Sequence, residues 1–73
     1  MDARKAFGQQ LKKIREQKGM TQEYLAEIIG ISDRQIRNYE GGVQGPTFGN
    51  LEKLAKVLGV RIRDLFDFSD SDL

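Results

Sequence analysis

Two apolar stripes at helical spacing are separated by only three residues, Gly30-Ile31-Ser32, and no other feature restricts the fold as much. On one side, Leu25, Ala26, Ile28 and Ile29 mark the inward face of a helix that Thr21 caps and Gly30 ends. On the other, Ser32 and Gln35 fit an S-x-x-Q capping box, and Ile36 and Tyr39 carry the next stripe until Gly41-Gly42 stop it. Met20 with Leu25, and Ile31 with Ile36, are placed as hydrophobic staples over the two starts. Helices of about two turns joined so tightly cannot run back side by side. They cross steeply, as in a helix-turn-helix.

The remaining stripes are also helical. Phe7, Leu11 and Ile14 make a first helix that ends at Gly19, and "VQGPT" reads as a loop leading to Thr47 as a cap. A fourth helix then buries Leu51, Leu54, Ala55 and Leu58 before Gly59, and Val60, Ile62, Leu65 and Phe66 supply a short fifth. No sustained alternation and no Asn-Gly or Asp-Gly hairpin signal argues for a strand. The expectation is an all-α, compact five-helix bundle over residues 1–66, followed by an acidic tail or linker start at 67–73. At 73 residues there is one domain, burying roughly 60% of the surface its unfolded chain exposes.

The chain has no histidine and no cysteine, which removes the usual parts of a zinc site, a disulfide framework or a nucleophile–base pair. Neither a P-loop nor a G-x-G-x-x-G is present, so no catalytic residue, metal or cofactor is expected and the protein is not expected to be an enzyme. No apolar run approaches the roughly 20 residues that span a bilayer. A cytoplasmic, nucleoid-associated protein with no membrane partner is the expectation. The formal net charge of +1 hides a gradient: residues 1–20 carry six Lys/Arg against two acids, whereas the last seven carry three Asp and no base.

At 100° per residue, Ile36 and Tyr39 lie on one side of the third helix, while Arg34, Arg37, Asn38 and Gly41 lie roughly opposite with Asp33 at the edge. Taken alone, that face is an ordinary solvated surface. Its context says otherwise. "TQEYLAEIIGISDRQIRNYEGG" resembles the phage-repressor and Cro-type (XRE-like) helix-turn-helix, with Gln22, Leu25-Ala26, Gly30, Ile36, Glu40 and Gly42 at family positions. The resemblance continues through Pro46, "NLEKLAKVLGV" and "DLF", covering roughly residues 6–66.

The resemblance implies a lambda-repressor-like DNA-binding domain whose third helix enters the major groove, with Asp33, Arg34, Arg37 and Asn38 facing base edges or the flanking backbone. The chemistry agrees, because Arg suits guanine O6/N7 and Asn suits adenine N6/N7. Asp33 either accepts from cytosine N4 or holds Arg37 one turn away. By the same resemblance, Gln22 meets a phosphate at the start of helix two, and the loop from Gly42 to Thr47, with Gln44 and Thr47, meets phosphate on the other flank. Here the chain departs from the family, since Val43 and Gln44 stand where Lys or Arg is common. Arg15 and Glu40 would form a structural ion pair between helices one and three. Lys12, Lys13 and Lys18 read as solvated lysines, and Tyr24 as either a ring near the DNA backbone or a packing residue.

Family members commonly pair through the C-terminal part, which makes Phe66 and Phe68 dimer candidates; Phe66 is expected in the core and Phe68 exposed. The expected partners are a second copy of the chain and double-stranded DNA carrying a near-palindromic operator. The function implied is a sequence-specific, repressor-like transcriptional regulator. The alternatives are an antitoxin or restriction–modification controller with the same fold, the antitoxin also needing a partner protein, and a protein-interaction module that has lost DNA binding.

Overall fold

The Asp2 side chain opens the first helix by accepting from the Arg4 N–H at 3.0 Å. The computed structural model describes residues 2–68, and each later α-helix within that span starts on a side-chain cap as well. After α1 (Ala3–Gln17), Thr21 Oγ1 accepts from Tyr24 N at 3.0 Å and starts α2 (Gln22–Ile29). The capping box is complete at α3 (Asp33–Glu40): Gln35 N donates to Ser32 Oγ at 3.1 Å, and Ser32 N donates to Gln35 Oε1 at 3.3 Å. Thr47 caps α4 (Phe48–Leu58), and a 3-10 helix, Ile62–Phe66, closes the described chain. Gly30, in the left-handed region at φ 81°, turns the chain between α2 and α3, and Ile31 N donates back to Ala26 O at 3.0 Å. That reversal lets α3 cross α2 within the three-residue link.

The core is one cluster contributed by every element. Leu11, Leu25, Ile36, Leu54, Leu58 and Leu65 are fully buried, with Tyr39 lying among them. No described helix is long and apolar enough to cross a membrane.

Four expectations fail. The fifth helix is a single 3-10 segment of five residues, so the described chain has four α-helices. Asp64 bends back so that Oδ2 accepts from Arg61 N at 2.9 Å, and the segment is too short to sustain an α-helical run. The change of period moves side chains. At three residues per turn Ile62 and Leu65 eclipse on the inner side, and Phe66 falls beside Arg63 on the outer one. Phe66 is therefore 46% exposed instead of core, its ring 5.2 Å from that of Phe7. Phe68, expected outside, is half-buried and packs against the core. Ile28 also points outward, at 44% exposure, because Leu25, Ala26 and Ile29 already span the inward arc of α2. The expected acidic tail lies, from residue 69 on, outside the described residues.

The α1–α3 crossing is set by glycine. A Cβ on Gly8 would run into the backbone carbonyl oxygens of Tyr39 and Glu40, and one on Gly42 would run into Lys5. Helix propensity alone favours Ala over Gly at position 8 by ~1 kcal/mol. Backbone carbonyls cannot rotate away, however, and overpacking typically costs ~1–3 kcal/mol or more. Gly8→Ala is therefore expected to lower Tm by several degrees, at ~4–8 °C per kcal/mol for a domain of this size. A raised Tm in a thermal melt would mean that the two helices do not approach this closely.

Candidate nucleic-acid interface

The last residue of α3 ends on a buried carboxylate. The Glu40 side chain is 4% exposed and that of Arg15 is 9% exposed. Arg15 Nε donates to Glu40 Oε2 at 2.6 Å and Nη2 donates to Oε1 at 3.1 Å, a two-pronged charge-assisted contact. Its Nη1 donates to Met20 O at 2.7 Å. Gln22 Nε2 donates to Glu40 Oε1 at 2.9 Å. One carboxylate thus gathers α1, the turn before α2, the first residue of α2 and the end of α3. Its hydrogen bond holds the Arg15 guanidinium above its ordinary pKa, outweighing the opposing effect of burial. Among the described residues no buried side-chain polar atom is left without a partner.

The opposite face of α3 is arranged differently. Arg34 and Arg37 are exposed, Asp33 and Asn38 are half-buried, and Gly41 keeps the exit of the helix slim. Arg37 Nη1 donates to Asp33 Oδ2 at 3.2 Å, one turn back. That geometry favours Asp33 as the holder of Arg37. An exposed i,i+4 pair contributes only ~0.3–0.5 kcal/mol, so Arg37 is easily re-aimed. The Arg34 side chain has no hydrogen bond or ion pair among the described residues.

Both flanks named from the sequence adjoin this helix. Gln22 reaches its end through Glu40. On the other side, Val43 N and Gln44 N both donate to Asn38 O, at 3.0 and 3.3 Å, which hangs the loop from α3. Thr47 Oγ1 accepts from Asn50 N at 3.2 Å, and Asn50 Nδ2 donates to Tyr39 Oη at 3.0 Å, tying the start of α4 to the core side of α3. Phe66 and Phe68 stand apart from that face, packed edge to face at 6.2 Å. A cavity of about 200 Å³ beside Phe66 is lined by Ala3, Arg4, Phe7, Gly45, Pro46 and Leu51.

Sequence reasoning missed several of these features. Gly8 interrupts a helical stripe where Ala would suit the helix better, and that mismatch was its only signal. Phe48, three residues before Leu51, has inward spacing yet is 78% exposed; Val43 is 67% exposed. The Asn50–Tyr39 contact left no trace in spacing.

The family model described as helix-turn-helix matches residues 11–65 of the chain. A curated relative, control protein C.BamHI from Bacillus amyloliquefaciens, is 39% identical over 64 residues, covering 86% of this chain and 79% of that one. Among solved structures, the restriction-modification controller protein C.AhdI from Aeromonas hydrophila superposes with a TM-score of 0.81 at 35% identity, covering 85% of this chain and 94% of that one. The biofilm master regulator SinR, solved in complex with DNA, gives a TM-score of 0.78 at 34% identity, covering 84% and 98%.

The buried pair generates a stability prediction. Glu40→Ala leaves the Arg15 charge uncompensated inside the protein, a change that costs ~3–5 kcal/mol in comparable sites. Tm is expected to fall by on the order of 12 °C or more, followed by circular dichroism. Unchanged melting would show that the pair carries no part of the frame.

Proposed function

The chain belongs to the helix-turn-helix family, and from that premise we propose that it is a sequence-specific double-stranded DNA-binding transcriptional regulator, repressor-like, that lays α3 in the major groove. The observation that carries this reading is the free face of α3: among the described residues, an exposed Arg34 side chain without a partner and an Arg37 held by a weak surface pair, on a helix whose other side is locked.

Arg34 and Arg37 take the fork-shaped contacts that suit guanine O6/N7, and Asn38 takes adenine N6/N7. Asp33 pre-aims Arg37 along the helix. Gln22 and the first amides of α2 bind a phosphate on one flank, since a helix N-terminus favours anions. On the other flank, Gln44, Thr47 and the backbone amides of the 42–47 loop bind a second phosphate. The loop has no Lys or Arg, so its grip depends on amide and hydroxyl donors.

A single α3 touches too few base pairs for tight binding at physiological salt. We therefore assign the protein a homodimer, formed through the face that holds Phe66 and Phe68 and the neighbouring cavity. Two copies place their recognition helices about one DNA turn, roughly 34–36 Å, apart on a near-palindromic operator. A second reading, a controller of a restriction–modification system, is favoured by the likeness to two control proteins. Binding to the DNA immediately upstream of its own coding region separates it from a regulator of distant genes.

Selection of duplexes from a random pool at near-physiological salt is expected to enrich a near-palindrome with half-sites one turn apart. Arg34→Ala should relax preference at one base pair and cost ~1–3 kcal/mol there, whereas Gln22→Ala should weaken all sequences about equally. No enrichment, with binding that vanishes as salt rises, would leave only the electrostatic attraction and sink the reading. The dimer fails if the mass is monomeric at micromolar concentration both with and without DNA.

A further inference from the structure

We propose that Glu40 is a positioning residue for DNA: without reaching the duplex, its carboxylate holds the Gln22 amide ready to donate to a phosphate at the start of α2. The inference rests on the DNA-binding reading above and deepens it.

The amide orientation is dictated by chemistry. Only the NH2 end of Gln22 can face a carboxylate oxygen, and it does so at 2.9 Å. That bond uses one of two hydrogens on Nε2 and leaves the second for an incoming oxygen. The same turn offers backbone donors. Thr21 satisfies Tyr24 N through its hydroxyl and Leu25 N through its carbonyl, whereas Gln22 N and Glu23 N, at the first two helical positions, have no intrahelical acceptor. Glu23 is exposed in that turn and opposes a phosphate, so a donor already in place matters more there.

Arg15 makes the arrangement compatible with an anion nearby. Its two-pronged contact compensates the Glu40 charge, and its third bond, to Met20 O, fixes the turn from which Thr21 and Gln22 emerge. Glu40 thus has two separable tasks: it holds α1 to α3 through Arg15, and it freezes Gln22. A glutamine side chain that is not held loses its rotamer freedom only when it binds. Freezing it beforehand is expected to be worth about three- to tenfold in affinity.

The test is a double-mutant cycle in DNA affinity on the whole protein, using one duplex carrying the selected site and one random-sequence duplex. The variants are Gln22→Ala, Glu40→Gln and both together, each melted first and then titrated well below the lowest Tm. In Glu40→Gln the single amide oxygen is claimed by Arg15, which turns an amino group toward Gln22 and reverses it. The expected result is that each single variant weakens binding about three- to tenfold on both duplexes, while the double variant binds no worse than Gln22→Ala alone. The fall in Tm from Glu40→Gln should persist in both backgrounds, because it reports the Arg15 contact. Penalties that multiply, or an affinity unmoved by Glu40→Gln, overturn the inference with wild-type binding intact. A wild-type protein that binds neither duplex overturns the DNA-binding reading, and this inference with it.

Discussion

A carboxylate almost out of contact with water tolerates its charge only if every lone pair facing the protein is answered, and Glu40 meets that condition with donors from two other parts of the chain. Arg15 comes from the last turn of α1 and Gln22 from the first turn of α2, while Glu40 itself ends α3. Glycine permits the convergence: Gly8 and Gly42 let α1 approach the end of α3 closely enough for the guanidinium to reach. Burial of Leu11, Leu25 and Ile36 drives the helices together without direction. The ion pair is directional and fixes how α2 and α3 meet α1.

The contrast between the two sides of α3 follows from energetics. Inside, neither Arg15 nor Glu40 can be lost without stranding the other's charge. Outside, the Asp33–Arg37 pair is half exposed and contributes a few tenths of a kcal/mol, comparable to thermal energy. A helix that must exchange water for base edges benefits from this division. Its axis is held by contacts that do not open, and its side chains by contacts that open readily. The Val43 and Gln44 bonds to Asn38 O extend the rigid part into the loop, so that the flanking amides keep their place relative to the same helix.

Much of this architecture was legible in the sequence because helix starts are local. Thr21, Ser32 and Thr47 each lie within three residues of the amide they cap, and Gly30 sits where the chain must turn back. Long-range features were less legible. Nothing in spacing links Arg15 to Glu40, 25 residues on; only the resemblance to a known family suggested the pairing. The C-terminal segment misled because a run of Val60, Ile62, Leu65 and Phe66 suits an α-helix, and the 3-10 period that replaced it exchanges the faces of Phe66 and Phe68. Ile28 misled for a different reason. An amphipathic stripe tells which arc is apolar and leaves open how much of that arc neighbouring helices can cover.

The charge distribution bears on how such a domain discriminates between sequences. With a net charge of +1 and no basic residue from 42 to 47, its non-specific attraction to phosphate is weak compared with that of a strongly basic domain. On the proposed reading, weak general attraction leaves the ratio of specific to non-specific binding to the base-edge contacts assigned to Arg34, Arg37 and Asn38, where a mismatched pair costs ~1–3 kcal/mol. Three such residues on one helix supply a modest total. In the proposed homodimer, duplicating them on a second copy doubles the number of base pairs read while adding little net charge. The same reading makes orientation matter more here than in a basic domain: a neutral amide such as that proposed for Gln22 acts through direction and distance, and a misaimed one contributes almost nothing. On the proposed reading, a frame in which one buried carboxylate holds both the Gln22 amide and the end of α3 suits a DNA reader of low net charge.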